Sequence, residues 1–313
     1  RNLAIFAGLT MIYISAFGQW KPSMQTLSFV MVAAPISFLL GLGFGIWAYR
    51  SKRVENILNP LLNVAQTMPH YSYLVPIMVL FGIGDHAGAI ATIIFATPPM
   101  VRLTLLVLRK VSPEVIEAGK MSGCSNFQLL FKVLIPTARR DILIGVNQVI
   151  MQCLAMAVIA SFIGAKGLGW NLLLALNQLR IGLALEAGIC ITLIAVLLDK
   201  MSLAWANKQI NYFENPTFFQ RNKYFMIFVG VVIAGYILSY IGTFYFKEGF
   251  NYLFIVPHNK GISTEAFWNS GVDWILDNFF DPLKVFNTWL ITQVLIPMKN
   301  AFLRMTAVST FVL

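Results

Sequence analysis

The chain has 313 residues, of which 58% are hydrophobic and only 12% charged. Soluble domains carry charge on about a quarter of their residues, so this composition excludes an ordinary soluble enzyme and a disordered chain, and membrane-span counting replaces domain counting. The formal charge of +10 is read as basic cytoplasmic loops, because Lys and Arg are retained on that side of a membrane; no basic stripe interleaved with exposed aromatics points to nucleic acid.

In chain order, the first apolar run covers Leu3 to Phe17 and is followed by a polar break, Gln19 to Ser23. The second, Leu27 to Tyr49, carries Gly41, Gly43 and Gly45, small residues that let helices approach closely. It ends at Arg50, Lys52 and Arg53. A half-polar stretch, Val54 to Thr67, leads into the shorter run Tyr71 to Phe81, bounded by Pro69 and Gly82. Ala87 to Leu108 follows, with a kink expected at Pro98 and Pro99. Then come Ile142 to Ile163, Ala184 to Leu198, Phe225 to Phe246, and a last run from about Ala301. Basic clusters place Arg50 to Arg53, Arg109 to Arg140 and Lys200 to Lys223 inside. Alternation then puts Gln19 to Ser23, Gly82 to His86, Gly164 to Gly182 and the stretch after Lys247 outside. Each span must satisfy its own backbone hydrogen bonds, so the expected fold is an all-α, polytopic transmembrane helix bundle.

The segment Ser112 to Pro136 between two of these runs reads as two short helices. Ser112 is placed to cap the first, with Pro113 at its first position and Glu114 at the positive dipole end. Gly123 breaks it, and Ser125 with Gln128 forms a capping box for the second. Phe127, Leu130, Phe131 and Leu134 make an apolar stripe at helical spacing, and Pro136 is expected to end the helix. An exposed amphipathic helix serves either as a plug for a partner's groove or as a lipid-surface helix.

Glu117-Ala118-Gly119, then Gly123, then Val133, Ile135 and Pro136 resemble the EAA loop of inner-membrane permeases of binding-protein-dependent ABC importers. That pattern is Glu-Ala-Ala, three residues, Gly, nine residues, aliphatic, any, aliphatic, Pro. Gly119 departs from it, replacing the second Ala at a cost in helix propensity. Leu61 to Pro69, Tyr73 to Pro76, Leu80 to Gly84, Ile94 to Thr104, Gly145 to Gln148 and Ala160 to Gly169 are similar to the branch that takes up glycine betaine, proline betaine and choline.

The resemblance implies a type I importer permease with a cytoplasmic helix-turn-helix coupling loop, Glu117, Ala118, Gly119, Gly123, Phe127, Leu130, Phe131 and Pro136, docking on an ATPase. It implies residues 1–204 as a permease domain lacking its first span, and 205–263 as a linker with an extra span. It implies 264–313 as the outside tail and first span of a second, fused permease unit, with a private extension as the other reading. The chain, opening at Arg1 rather than Met, is read as a piece of a longer protein. Implied partners are an ABC ATPase dimer, a periplasmic substrate-binding protein, a second permease unit and the lipid bilayer of a bacterial inner membrane.

No cofactor is expected on the chain itself. Gly164-Ala-Lys-Gly-Leu-Gly169 lacks the order of a phosphate loop, so ATP is assigned to the partner ATPase. No nucleophile–base set stands out, and Cys124, Cys153, Cys190 and the three His share no ligand spacing, so catalytic and metal sites are expected to be absent. Asn147, Gln148, Gln152 and Ser161 are candidates to line a translocation path; hydrogen-bonded glue between helices is the competing role for the amides. An ion-coupled secondary transporter is the alternative function, and it requires midplane ionisable groups that the runs do not show.

Overall fold

The computed structural model describes residues 2–206 and 264–304. The expected span Phe225 to Phe246, the basic stretch up to Lys223 and the apolar run beyond Arg304 lie outside the described residues. The chain divides into two units, Arg1–Ser263 and Thr264–Leu313.

The described residues of the first unit are almost all helical, with no strand among them. Its helices are α1 (Asn2–Ala16), α2 (Trp20–Arg50), α3 (Lys52–Thr67), α4 (His70–Phe81), α5 (Asp85–Lys110), α6 (Pro113–Met121) and α7 (Asn126–Gln128). A π-helical turn, Leu129–Leu134, joins α7 to α8 (Ile135–Ile159), which closes in a 3-10 turn, Ala160–Ile163. Then come α9 (Leu168–Asn177) and α10 (Ile181–Ala206). Among the described residues, four continuous helical stretches are long and apolar enough to cross a membrane: Trp20–Arg50, Asp85–Lys110, Asn126–Ile163 and Ile181–Ala206.

Several expectations are adjusted. The polar break at Gln19 shrinks to a tight turn, because Gly18 at φ +67° lets α1 end and α2 begin at Trp20. The half-polar stretch is the helix α3, and α3 and α4 are separated only by Met68 and Pro69. Helix α5 runs through Pro98 and Pro99 without interruption.

The core is built by α2, α5 and α8, with Val30, Ala33, Ala96, Met100, Leu108, Val149, Cys153 and Leu154 all buried. Small residues set the α2–α5 distance. A Cβ on Gly41 would lie 2.4 Å from Met100 Cβ, and one on Gly45 would lie 2.5 Å from Thr104 Cβ, whereas Gly43 faces open space. Two of the three glycines therefore permit the close approach.

Polar contacts sort the loops to two ends, in the grouping that the basic residues predict. At one end, the Gly84 N–H donates to the Ile163 carbonyl at 2.8 Å and the Lys166 N–H to Asp85 Oδ1 at 2.6 Å. Leu168 N–H donates to Thr26 Oγ1 at 2.9 Å, and Asn171 Nδ2 to Gln19 Oε1 at 3.0 Å. At the other end, Arg109 and Lys52 converge on Glu55, Arg102 donates to Asn63 Oδ1, and Lys110 lies 3.8 Å from Asp141. Arg102 is thus held by α3.

The second unit contains α11 (Glu265–Trp289), a π-helical turn (Leu290–Leu295) and α12 (Ile296–Arg304) in one continuous rod. The sequence reading assigns no element to residues 264–300, whereas the chain there is helical. The Trp268 indole donates to Thr264 Oγ1 at 2.9 Å, across the first turn.

Candidate coupling loop and translocation face

Helix α6 starts at Pro113, but Ser112 makes no side-chain cap to its backbone. The first turn is served instead by Glu114, whose carboxyl takes its own N–H and the Ser112 hydroxyl and is held below the ordinary carboxylate range. That corrects the expected role of Ser112.

The turn after α6 follows from Gly123. At φ +75° it donates to Lys120 O at 2.9 Å while Cys124 N–H reaches Gly119 O at 3.2 Å, the paired bonds of a Schellman ending. Ser125 then opens α7 with a complete capping box, since Ser125 Oγ accepts from Gln128 N–H and Gln128 Oε1 accepts from Ser125 N–H. Gly119 is buried against the next helix, where a Cβ would stand 2.7 Å from Leu129 Cδ1. The departure from the EAA pattern therefore sits where α6 packs against Leu129 and Val133 of the π turn.

Two expectations for the second helix are corrected. Pro136 does not end it. The wide turn ahead of Pro136 carries the helix into α8, with Ile135 N–H donating to Leu130 O. The proline lacks an N–H and crowds the carbonyl four residues back, and an i→i+5 turn relieves both problems without a break. The apolar stripe also divides. Leu130 and Leu134 are buried in the bundle core, while Phe127 and Phe131 stay exposed with ring centroids 4.5 Å apart. Leu130 is thus a bundle residue. The exposed residues of this segment include Glu117, Ala118, Met121, Gly123, Phe127, Phe131 and Pro136.

At the same end, Glu55 is enclosed between α2 and α5. The hydrogen bond from Arg109, with that from Lys52, holds its carboxyl at about 2. This anchor for α3 is not evident from the sequence, because its partner lies 54 residues away.

The four path candidates separate. Asn147 Nδ2 donates to Asp199 Oδ1 at 2.8 Å, and the Ser202 hydroxyl donates to Asn147 Oδ1 at 2.5 Å, so Asn147 ties α8 to α10. Ser161 is buried, 1% exposed. Gln148 is exposed and Gln152 half-buried. Glu186, on α10, is buried.

A helix bundle of this order, with a bent loop exposed between two long apolar helices, is the architecture of an integral membrane protein. The profile of the family described as "Binding-protein-dependent transport system inner membrane component" matches residues 37–208. The chain belongs to that family.

Among its relatives, the trimethylamine N-oxide transport system permease protein TmoV of Pelagibacter ubique (strain HTCC1062) is 71% identical over the whole of this chain, which spans 44% of the relative's length. The glycine betaine/proline betaine transport system permease protein ProW of Escherichia coli (strain K12) is 44% identical, over 63% of this chain and 55% of its own. The glycine betaine permease OpuAB of Bacillus subtilis (strain 168) is 41% identical, over 64% of this chain and 72% of its own. The chain thus spans less than half the length of the Pelagibacter relative. Among solved structures, the inward-facing MetNI methionine ABC transporter superposes with a TM-score of 0.55 at 18% identity, over 61% of this chain and 97% of that one. This establishes the fold as that of a type I ABC importer permease.

Proposed function

We propose that the protein is the translocating subunit of an ATP-driven importer for a small methylated-amine zwitterion, of the class of trimethylamine N-oxide and glycine betaine, in a bacterial inner membrane. Its partners are an ATPase dimer that consumes the ATP, a periplasmic solute-binding protein and a second permease unit. The solute class is supported by the names of relatives that align over most of the chain. A fused second unit beginning near residue 264 is supported by the Pelagibacter relative, which matches this chain throughout and is more than twice as long.

The observation that carries the mechanism is the Phe127–Phe131 pair, exposed on a loop whose bend is fixed by Gly123 and whose far side is locked into the bundle by Leu130 and Leu134. A partner's groove that takes the two rings moves α8 as one body, because α7, the π turn and α8 form one uninterrupted helix. Closure of the ATPase dimer is thereby converted into tilting of a membrane helix.

Gly123 gives the test. A Cβ there meets nothing within 4 Å, so a side chain adds no clash, but the left-handed conformation costs a non-glycine residue about 1–2 kcal/mol. Gly123→Phe is expected to insert normally and to lose ATP-driven uptake in vesicles carrying the full importer. Gly123→Asn, which tolerates this conformation, is expected to retain it. Normal uptake by Gly123→Phe would refute the coupling role.

A further inference from the structure

One face of α8 is left uncovered by the bundle. Gly145, Val149, Cys153, Met156 and Ala160 are buried, whereas Ile144, Gln148, Ala155 and Phe162 are exposed and Gln152 and Ile159 half-buried. Spacings of three and four put the second set on one side of the helix. Gln152 and Gln148 lie about 15 and 21 Å of helical rise below Phe162. Hydrocarbon leaves primary amides at that depth without partners, so a face carrying two of them is suited to a polar path rather than to lipid tails.

Where this face meets the start of α4, it becomes aromatic. Tyr71, two residues past Pro69 at the break between α3 and α4, meets the Phe162 ring edge-on at a centroid distance of 5.3 Å. The two side chains are 53% and 55% exposed. Next to Tyr71, His70 packs on Phe95 at 4.5 Å, and Tyr73 closes on the same ring at 5.8 Å. An edge-to-face pair leaves the negative face of one ring open, and a methylated ammonium is the kind of cation such a face attracts. From Ile144 to Phe162 the chain holds neither a carboxylate nor a basic side chain; Arg139, Arg140 and Asp141 stand at the start of α8, before this stretch.

We propose that Tyr71 and Phe162 form a transient cation–π station for the quaternary-ammonium head of the solute as it crosses. Gln152 and then Gln148 take its oxygen as it moves inward. The station selects methylated cations by ring electrostatics and not by a salt bridge, so the solute is recognised without being trapped. This rests on the solute class proposed above.

The test uses the full importer with its ATPase and binding protein in proteoliposomes. The readout is trimethylamine N-oxide or glycine betaine carried per ATP hydrolysed, with loaded binding protein in excess. The double variant Tyr71→Leu, Phe162→Leu keeps apolar bulk and removes both π faces. It is expected to hydrolyse ATP at the wild-type rate and carry about three- to thirty-fold less solute per ATP, while Tyr71→Phe stays close to wild type. An unchanged ratio in the double variant overturns the station, as does an equal loss in Tyr71→Phe, which keeps the ring. Failure of the wild-type importer to carry either solute overturns the solute class itself, and the two failures are thereby told apart.

Discussion

The turns Leu129–Leu134 and Leu290–Leu295 share a backbone and differ in everything around it. Both are π-helical, and both end in Val-Leu and are followed by Ile-Pro. In one, Ile135 N–H reaches back to Leu130 O; in the other, Ile296 N–H reaches back to Ile291 O. Yet Leu129, Leu130 and Leu134 are buried against the permease helices, and no side chain of the second turn is buried. The same solution with and without packing points to the Val-Leu-Ile-Pro sequence that the two share rather than to proline alone, since Pro35, Pro60, Pro98 and Pro99 lie inside α-helices without such a turn. Which side chains the wide turn hides is decided by neighbouring helices.

The largest expected contrast lies in truncation. Leu130 is 3% exposed and Ile291 is 40% exposed. Leu130→Ala removes buried methyl groups from a packed core and is expected to cost about 2–5 kcal/mol. Ile291→Ala is expected to cost under about 1 kcal/mol. Thermal unfolding of the full-length protein in detergent compares them, and equal losses would mean that the second turn is packed as tightly as the first.

A smaller effect tests the shared cause. Pro136→Ala and Pro297→Ala each restore an N–H and remove the ring that crowds the preceding turn. Both turns are then expected to tighten to α-helical bonding, visible as hydrogen-exchange protection of the new amide. In the first turn, the change also re-registers Phe127 and Phe131 relative to Leu130 and Leu134, so solute carried per ATP should fall. Persistence of i→i+5 bonding in both variants would remove the proline as the cause.

The same division governs what could be read from the sequence. Signals within a few residues were legible: the Gly123 ending, the Ser125–Gln128 box and the start of α6 at Pro113. The glycines at 41 and 45 were legible as contact points, although the equal claim of Gly43 fails because it faces the other way. What depended on distant chain was not legible. Asn147 has two readings, path lining and hydrogen-bonded glue, and the partners Asp199 and Ser202 that meet it from α10 lie 52 and 55 positions away. The sorting of Leu130 from Phe131 required the π turn, which shifts the helical register on which the stripe was drawn. Tyr71 and Phe162, 91 positions apart by their numbers, carried no joint signal at all.

A second matched pair of turns sharpens the comparison with the smallest change. Leu179 ends α9 with the bonds seen at Gly123: its N–H donates to Leu176 O at 3.0 Å, and Arg180 N–H to Ala175 O at 2.9 Å. Its φ is +57°, a left-handed conformation that costs a side chain about 1–2 kcal/mol. At 84% exposure it recovers little by burial. Leu179→Gly removes that strain but adds conformational freedom to the unfolded chain, a loss of about 0.5–1 kcal/mol. The two nearly offset, so the variant is expected to unfold within about 1 kcal/mol of wild type, on the stable side. A clear destabilisation would show that the leucine side chain is held by a contact that the open turn does not reveal. A neutral result would leave the hydrogen bonds, and not the residue, as what fixes this turn.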